Sequence, residues 1–335
     1  MNFSRKITQN MTRLLQVINN REERWLIVIN ADPDAMASAM ALRRIMAHRT
    51  GTVGIAHVNE VKRPDNLAMM HFLRIPTVTF TPDMTADYQR FAMVDSQPHH
   101  HPAFQGIDWS IVIDHHPILP EKPCTAAFAD IRPDYGATST ILTGYLANLG
   151  IRPGKLLATA LVYGIKADTL SFERHFIEAD VKAFSHLTRF ADMGLLRKII
   201  SSEYHRRWLK FFSKAFRKMR FIGTRGLFVF MDTLESPDIL VILADFFTKV
   251  HGLSWNVTAA VVKKTVVVIF RGDGVGRNMG TMAQKLFSDI GSAGGHRAAA
   301  RAEISLEALG GKNPEEFLYK RLTGHKIPAK EHCPL

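Results

Sequence analysis

The sequence has little cysteine and no long apolar run. Its two cysteines, Cys124 and Cys333, are too few and too far apart to form a disulfide framework or a zinc-knuckle spacing. The apolar runs, such as residues 265–270, have the length of strands, so no membrane span is predicted. The N-terminal segment also lacks the apolar core of a signal peptide. We therefore expect a cytoplasmic protein without a membrane-spanning segment.

Acidic residues are scarce relative to basic ones. The chain has 43 Lys and Arg against 31 Asp and Glu, a net charge of +12. Such an excess attracts anionic partners, although many basic proteins have none, so charge alone only weakly favours a nucleotide or nucleic-acid ligand. The cations concentrate in residues 195–221, here called the basic segment. They are Arg197, Lys198, His205, Arg206, Arg207, Lys210, Lys214, Arg217, Lys218 and Arg220.

A chain of 335 residues is long for one domain and predicts two lobes. Short β-rich runs alternate with helical patterns, which is typical of an α/β fold. We predict a bilobed α/β protein. A larger N-terminal lobe (1–194) would have a mainly parallel sheet flanked by helices, and a basic helical linker (195–221) would lead to a smaller α/β lobe (222–335).

Polar residues follow the predicted strands where each strand ends. In open α/β sheets the ligand crevice lies at these carboxyl ends, so the side chains are expected to converge. Taken singly, each Asp would be a helix cap or a loop residue. Their joint occurrence at successive strand ends instead favours a two-metal phosphoesterase site for Mn²⁺ or Mg²⁺. The candidates are Asp32, Asp34, Asp95, Asp114, His115, His116 and Asp168.

These motifs, in their order and spacing, resemble the four motifs of the DHH phosphoesterase family. The resemblance covers about residues 25–175. The matching segments are Asp32-Pro33-Asp34-Ala35 with Ser38, Val94-Asp95, Ile113-Asp114-His115-His116-Pro117, and Gly164-Ile165 with Asp168-Thr169 and Phe172.

The resemblance implies a role for each residue. Asp95 would bridge two Mn²⁺ ions, with Asp32 on the first ion. On the second ion would be Asp34, His115 and Asp168. His116 would face the substrate phosphate and Asp114 would hold an imidazole. A hydroxide bridging the two ions is the expected nucleophile.

The sequence departs from the family pattern at two positions. Val28 stands where members commonly have a histidine ligand, so the first metal is expected to bind weakly. Asn30 lies where one branch of the family has an acidic residue, and its side-chain oxygen is a candidate substitute ligand. Leu170 stands where a glycine is frequent. The run His99-His100-His101 is interpreted as an exposed loop and not as part of the metal site.

The C-terminal lobe contains a glycine-rich run at residues 291–295. A glycine pair alone predicts a turn, but here it follows a strand and a helix. This order is similar to the DHH-associated substrate-binding domain. The resemblance implies that Arg271 and His296, with the backbone of Gly294 and Gly295, hold a substrate phosphate. The alternative for Arg271 is a surface ion pair.

The chain looks most like the short-oligoribonucleotide (nanoRNase) and bisphosphonucleotide hydrolases. We therefore predict a metal-dependent hydrolase of short oligonucleotides or small nucleotide phosphoesters, including products derived from cyclic dinucleotides. One alternative is a degenerate module that binds a nucleotide without turnover. Another is a single-strand exonuclease or nucleic-acid-binding protein that uses the basic segment. A homodimer is left open.

Overall fold

The computed structural model describes residues 5–324, and the chain divides into two units between Tyr204 and His205. Residues 1–4 and 325–335 of the predicted lobes lie outside the described residues. The predicted basic helical linker (195–221) is not one continuous helix. The basic segment contains the end of one helix, residues 193–200, and a separate helix at 209–218. None of the described helices combines the length and apolarity that crossing a bilayer requires.

The first unit contains six strands and eight helices among its described residues. Its strands are β1 (Trp25–Ile29), β2 (Val53–His57), β3 (Thr77–Thr79), β4 (Arg90–Val94), β5 (Trp109–Asp114) and β6 (Phe128–Ile131). Its helices are α1 (Arg5–Val17), α2 (Pro33–Met46), α3 (Pro64–Phe72), α4 (Met84–Asp87), α5 (Thr138–Asn148), α6 (Lys155–Asp168), α7 (Glu178–Leu187) and α8 (Met193–Ile200).

The first sheet is parallel throughout and has the order β3-β2-β1-β4-β5-β6. Strand β1 is buried along its whole length, with alternate side chains in two apolar cores. Ile27 and Ile29 pack in one core, and Leu26 and Val28 pack in the other. Burial on both faces explains why the strand is an unbroken apolar run.

The chain reverses its direction of travel across the sheet between β1 and β4. From β1 it builds outward to β3, then returns to place β4 on the other side of β1. Such a reversal opens a crevice at the carboxyl ends of the two strands. The segments that follow β1 and β4 carry Asp32, Asp34 and Asp95. The topology therefore places these carboxylates where an open α/β sheet binds its ligand.

The second unit has a mixed sheet with the order β11-β12-β10-β9-β8-β7. Only β8 and β9 pair in parallel among its described strands. Its strands are β7 (Arg220–Ile222), β8 (Gly226–Leu234), β9 (Trp255–Val262), β10 (Thr265–Gly272), β11 (Gly291–Gly295) and β12 (Ala299–Ser305). Its helices are α9 (Leu209–Lys218), α10 (Asp238–Phe247), α11 (Met279–Phe287) and α12 (Pro314–Thr323). Helices α9 and α10 contribute to the core on one face, and α11 and α12 to the core on the other.

The glycine-rich run is a strand and not the turn that a glycine pair predicts. It forms the edge strand β11, paired antiparallel with β12. A Cβ atom on Gly291 would lie 2.2 Å from the Glu303 carbonyl oxygen, and Gly295 has φ +149°. Glycine is therefore required for this close strand pairing.

Candidate metal centre

Four side chains meet at the carboxyl edge of the first sheet. They are Asp34 in the first turn of α2, Asp95 after β4, His115 after β5, and Asp168 at the end of α6. One potential ligand atom of each lies within 4.8 Å of those of the others. The sequence predicted a metal-ligand role for these four residues and also for Asp32 and Asn30.

The N-terminus of α5 holds two of these carboxylates. Asp34 is fully buried, and its Oδ2 and Oδ1 accept hydrogen bonds from the backbone N–H groups of Thr138 (2.6 Å) and Ser139 (2.8 Å). The Thr138 hydroxyl donates to Asp95 Oδ1 (2.9 Å). The first N–H groups of a helix have no partner within the helix and carry partial positive charge, so they suit buried carboxylates. The sequence analysis did not identify α5 as part of the site.

Gly164 allows α6 to pack against this carboxylate. A Cβ atom at position 164 would lie 2.4 Å from Ser139 Oγ and 3.0 Å from Asp34 Oδ1. The first distance is too short for a Cβ atom, and the second is tighter than an ordinary van der Waals contact. Gly164, which belongs to the last of the four motif segments, is therefore needed for steric reasons. Its missing side chain allows α6, with Asp168 at its end, to lie close to Asp34.

His115 is oriented with one ring nitrogen toward the carboxylates. Its Nδ1 lies 3.1 Å from the Tyr135 carbonyl oxygen, to which it donates. Its Nε2 lies 3.1 Å from Asp168 Oδ2 and 3.5 Å from Asp95 Oδ1. This buried atom has no hydrogen bond of good geometry within the described residues. A carbonyl on one nitrogen fixes the tautomer that leaves the other available to a metal.

The clustered carboxylates favour bound protons in the metal-free protein. Burial, followed by the charge of Asp168, raises the pKa of Asp34 to about 6. Burial and the neighbouring carboxylates raise the pKa of Asp95 well above its ordinary value. Burial opposes a charge on His115, but the Asp168 carboxylate and the charge of Asp34 outweigh it and raise the pKa to about 9. The cluster therefore attracts positive charge strongly.

The donor set fits a divalent cation. Three carboxylates supply hard oxygen ligands and His115 supplies an otherwise unpartnered imidazole nitrogen, a combination that suits Mn²⁺ and Mg²⁺. A cation would neutralise the repulsion that raises the carboxylate pKa values. Asp34, Asp95, His115 and Asp168 are therefore called the metal centre below.

Asp32 does not belong to this close group. The Asp32 side chain caps α2, with its Oδ1 accepting from the Ala35 N–H at 2.8 Å. Its charge nevertheless helps to raise the pKa of Asp95. Asn30 is exposed, and Asp32 does not occur in the close groups of acidic and histidine ligands in the described part of the chain. Val28 packs in an apolar core with Leu26 and Met93, which is consistent with a first metal site that lacks a ligand.

His116 is held at the rim of the metal centre by Asp114. His116 Nδ1 lies 2.8 Å from Asp114 Oδ1, and this contact raises the pKa of His116. The Asp114 carboxylate is buried, which opposes its ionisation, but hydrogen bonds to His116 and Gln97 keep its pKa below the ordinary value. The pair therefore favours a protonated imidazole on an ionised carboxylate, an arrangement suited to the predicted role of a histidine facing a phosphate.

Gln97 is a buried residue of the site to which the sequence analysis gave no role. Its Nε2 donates to Asp114 Oδ2 (2.8 Å) and to the His116 carbonyl oxygen (3.2 Å). Its backbone N–H donates to His100 Nδ1 (3.2 Å). Gln97 thereby ties the loop after β4 to the loop after β5. His100, interpreted from sequence as a loop residue, lies in a close group with Asp114 and His116.

Two residues of the site have left-handed backbone conformations. Asp95 has φ +59° and Leu170 has φ +46°. Non-glycine residues adopt this region at an energetic cost, and it often marks functional sites. The value at Leu170 explains why a glycine would be favoured there. At Asp95 the unusual conformation accompanies a side chain directed into the metal centre.

In the second unit, three of the predicted phosphate-binding residues line one cavity of about 310 Å³. Arg271, Gly294 and Gly295 line it together with Arg301, which the sequence analysis missed. Arg271 Nε donates to Asp245 Oδ1 (2.6 Å), so the predicted alternative, a surface ion pair, is present. His296 is exposed and is not among the residues that line this cavity.

The family model described as "DHH family, N-terminal domain" matches residues 24–165. This part of the chain belongs to the DHH family. The match confirms the family predicted from the ordered motifs. It includes Asp34, Asp95 and His115, and it ends three residues before Asp168.

Two further comparisons extend beyond the DHH-family segment. The chain is 32% identical over 303 residues to the uncharacterized protein MJ1633 of Methanocaldococcus jannaschii. The match covers 90% of this chain but only 62% of that protein, so the chain spans less than two thirds of this curated relative. An exopolyphosphatase-related protein from Bacteroides fragilis has a similar fold, with a TM-score of 0.64 at 14% identity, covering 95% of this chain and 96% of that one. This likeness confirms the predicted α/β fold class.

A more distant match is RecJ from Thermus thermophilus, solved in complex with Mn²⁺. It has a TM-score of 0.45 and 16% identity, and the match covers 96% of this chain and 54% of RecJ.

Proposed function

We propose that this protein is a metal-dependent phosphoesterase that hydrolyses short oligonucleotides or small nucleotide phosphoesters. The observation that carries the proposal is the metal centre itself. It brings three carboxylates and an oriented imidazole to the crevice of a DHH-family sheet. A divalent cation held there would activate water and neutralise charge on a phosphoryl group.

The protein's own residues would then bind and orient the substrate. His116 lies beside the metal centre with 43% of its side chain exposed. Its Nδ1 is engaged by Asp114, so its Nε2 is the nitrogen left to donate to a phosphoryl or leaving-group oxygen. Gln97 keeps Asp114 in place. These residues would supply a fixed proton donor next to the reacting phosphate.

The second unit is proposed to bind the phosphate or base of a nucleotide ligand. Arg271 and Arg301 line the cavity formed beside the Gly294-Gly295 backbone, which supports an anionic ligand. Arg271 pairs with Asp245 and Arg301 pairs with Glu303, but the Arg301 side chain is the more exposed of the two, so its ion pair is the weaker one and Arg301 is the better candidate for the direct phosphate contact. His296 stays a prediction as a substrate-binding residue.

The substrate class can be tested with a panel in the presence of Mn²⁺. The panel contains oligonucleotides of two to five units, a bisphosphonucleotide, a cyclic dinucleotide and pyrophosphate. We expect hydrolysis of the short oligonucleotides or the bisphosphonucleotide. Asp95→Asn should lower the rate about 100-fold or more, because even residues behind the ligands contribute about 10-fold to 100-fold.

The matched control is Asp108→Asn, an exposed carboxylate in the same unit. It should hydrolyse the panel at the wild-type rate. Equal residual rates in the Asp95→Asn variant and the wild-type protein would rule out the proposed site. Hydrolysis of pyrophosphate alone would leave the site in place and refute the nucleotide substrate.

A second candidate is a module that binds a nucleotide around a single cation without turnover. The capping role of Asp32 and the apolar surroundings of Val28 favour this candidate, because both leave a first metal short of ligands. Metal analysis after dialysis discriminates the two. Two bound Mn²⁺ ions per chain would argue for the two-metal phosphoesterase, and one ion without turnover would argue for the binding module.

A further inference from the structure

Three exposed cations in α9 and in the turn just before it have no carboxylate partner. Arg206, Lys210 and Arg217 are exposed, and none of them forms an ion pair with another residue in the range 5–324. We call these three cations, with Leu209 and Phe216, the basic face. It lies wholly within the second unit.

Other cations of the same segment are engaged elsewhere. Lys214 Nζ lies 2.7 Å from Asp232 Oδ2, and Lys218 pairs with Asp232 Oδ1. The Arg220 guanidinium lies over the Tyr319 ring at 3.4 Å from its centroid. These contacts account for three cations of the basic segment as parts of the fold. They leave the basic face without carboxylate partners, and its Lys210 ammonium lies 5.1 Å from the centroid of the Phe211 ring.

Two large apolar side chains lie among the free cations. Leu209 is 60% exposed and Phe216 is 44% exposed. Positions seven apart in a helix share a face, so Leu209 and Phe216 form one row, and Lys210 and Arg217 form a second row about 100° further around the helix. Each row is about 10 Å long, at about 1.5 Å per residue. The surface thus places a row of positive charge beside a row of apolar area.

We propose that the basic face binds single-stranded nucleic acid. Phosphates would lie along the row of Lys210 and Arg217, with Arg206 extending it, and a base would stack on Phe216. Proteins that bind single strands combine a positively charged track with aromatic side chains in this way. The whole chain has a net charge of +12, which adds a long-range attraction for polyanions.

The distribution of apolar area argues against a membrane surface as the partner. A helix that lies in a membrane interface inserts a broad apolar face. The broad apolar face of α9 is already used, because Phe212 and Ala215 are buried in the core beneath the sheet. What remains outside is one narrow row, formed by Leu209 and the exposed part of Phe216, whose ring also packs against the rings of Phe246 and Phe247.

Binding can be measured by fluorescence anisotropy without any hydrolysis. The probe is a labelled single-stranded oligonucleotide of about 12 nucleotides, within the usual range of site sizes. The full chain is titrated in EDTA at several salt concentrations. The test variant is Lys210→Gln with Arg217→Gln. The control carries Lys263→Gln and Lys264→Gln, two exposed lysines in the turn between β9 and β10 of the same unit.

The test variant should bind about tenfold more weakly than the wild-type protein at low salt. Its slope of log affinity against log salt should be shallower by about 1.4, from two lost phosphate contacts at about 0.7 each. Phe216→Leu, which keeps an apolar side chain, should weaken binding about fivefold with an unchanged slope. The control should match the wild-type protein, and circular dichroism should be the same for all variants.

Three results would overturn the proposal. They are equal affinity and slope in the test and control variants, no binding by the wild-type protein at low salt, and binding to vesicles containing anionic lipid in preference to the oligonucleotide. Because the assay needs no turnover, its outcome is independent of the hydrolysis panel. A negative binding result would not contradict the proposed hydrolysis, and a negative hydrolysis result would not contradict binding by the basic face.

Discussion

The two units present opposite electrostatic designs. The first gathers carboxylates in a buried cluster at the carboxyl edge of a parallel sheet, where the pKa values of Asp34 and Asp95 are raised. The second has a mixed sheet, an open cavity with two arginines, and exposed cations on α9. One unit is suited to holding a cation and the other to holding an anion.

The difference also concerns rigidity. The ligands of the metal centre are fixed by helix N–H groups, a backbone carbonyl and the close approach of α6 at Gly164. The cavity in the second unit has fewer fixed partners, and Arg301 pairs only with the exposed Glu303 among the described carboxylates. Substitutions should therefore affect stability mainly in the first unit and binding mainly in the second.

The largest expected effect is the pH dependence of the metal-free protein. Asp34 has its pKa raised from 3.8 to about 6, so its favourable contribution is complete below pH 3.8 and is lost as pH rises through 6. His115 has its pKa raised from 6.5 to about 9, so its contribution is lost as pH rises through 9. Both pKa shifts therefore lower the free energy of unfolding as the pH rises. The contribution of Asp34 to this free energy amounts to about 3 kcal/mol.

Urea denaturation in EDTA should therefore show lower stability at pH 8 than at pH 5. Asp168→Asn should flatten this dependence, because the charge of Asp168 helps to raise the pKa of Asp34. With saturating Mn²⁺ the trend should reverse, since a metal binds deprotonated ligands. A metal-free stability that rises with pH would contradict the assigned electrostatics.

A pair of glycine substitutions sharpens the contrast in packing. Gly164→Ala would force a Cβ atom against Ser139 and Asp34, whereas Gly294→Ala would meet only the end of Gln284 at 3.8 Å. We expect Gly164→Ala to lower the free energy of unfolding by about 1–3 kcal/mol and to weaken Mn²⁺ binding. Gly294→Ala should change stability by less than about 0.5 kcal/mol. An equal loss of free energy of unfolding at the two positions would contradict the distinction between tight packing at Gly164 and open space at Gly294.

The smallest expected effect is on substrate affinity in the second unit. Arg301→Gln removes one cation from the cavity and an exposed ion pair with Glu303, so stability should fall by less than about 1 kcal/mol. Loss of a charge-assisted hydrogen bond should raise the KM roughly tenfold and leave kcat unchanged. Lys264→Gln serves as the charge-matched control. Unchanged values of both KM and kcat would place Arg301 outside the substrate site.

Much of the metal centre could be predicted from the sequence because the sheet topology brings its residues together. Asp34, Asp95 and His115 follow strands of one parallel sheet, and parallel strands bring their carboxyl ends to a common edge. Asp168 was grouped with the residues at strand ends, but it lies at the end of helix α6, so the family motif and not the strand-end argument accounts for its assignment. The capping of α2 by Asp32 was recognised as an alternative from its turn position.

The contacts that hold the centre in place could not be predicted in the same way. Thr138 and Ser139 lie more than 100 positions from Asp34 in the sequence. They contact it through backbone N–H groups, which nearly every residue type has, so the residue types do not indicate this contact. Gln97 was visible only as a polar residue after a strand. The glycine strand β11 and the division of the basic segment into two helices depend on tertiary pairing, which outweighs local preference.

The order of the ligands along the chain has a consequence for biosynthesis. Asp34 is made early, but Asp168 completes the set 134 residues later, at the end of α6. Because domains fold as units during translation, a nascent chain that ended before α6 would expose an acidic half-site with low affinity for a cation. Metal capture would therefore mark the moment at which the first unit has emerged, while most of the second is still to be translated.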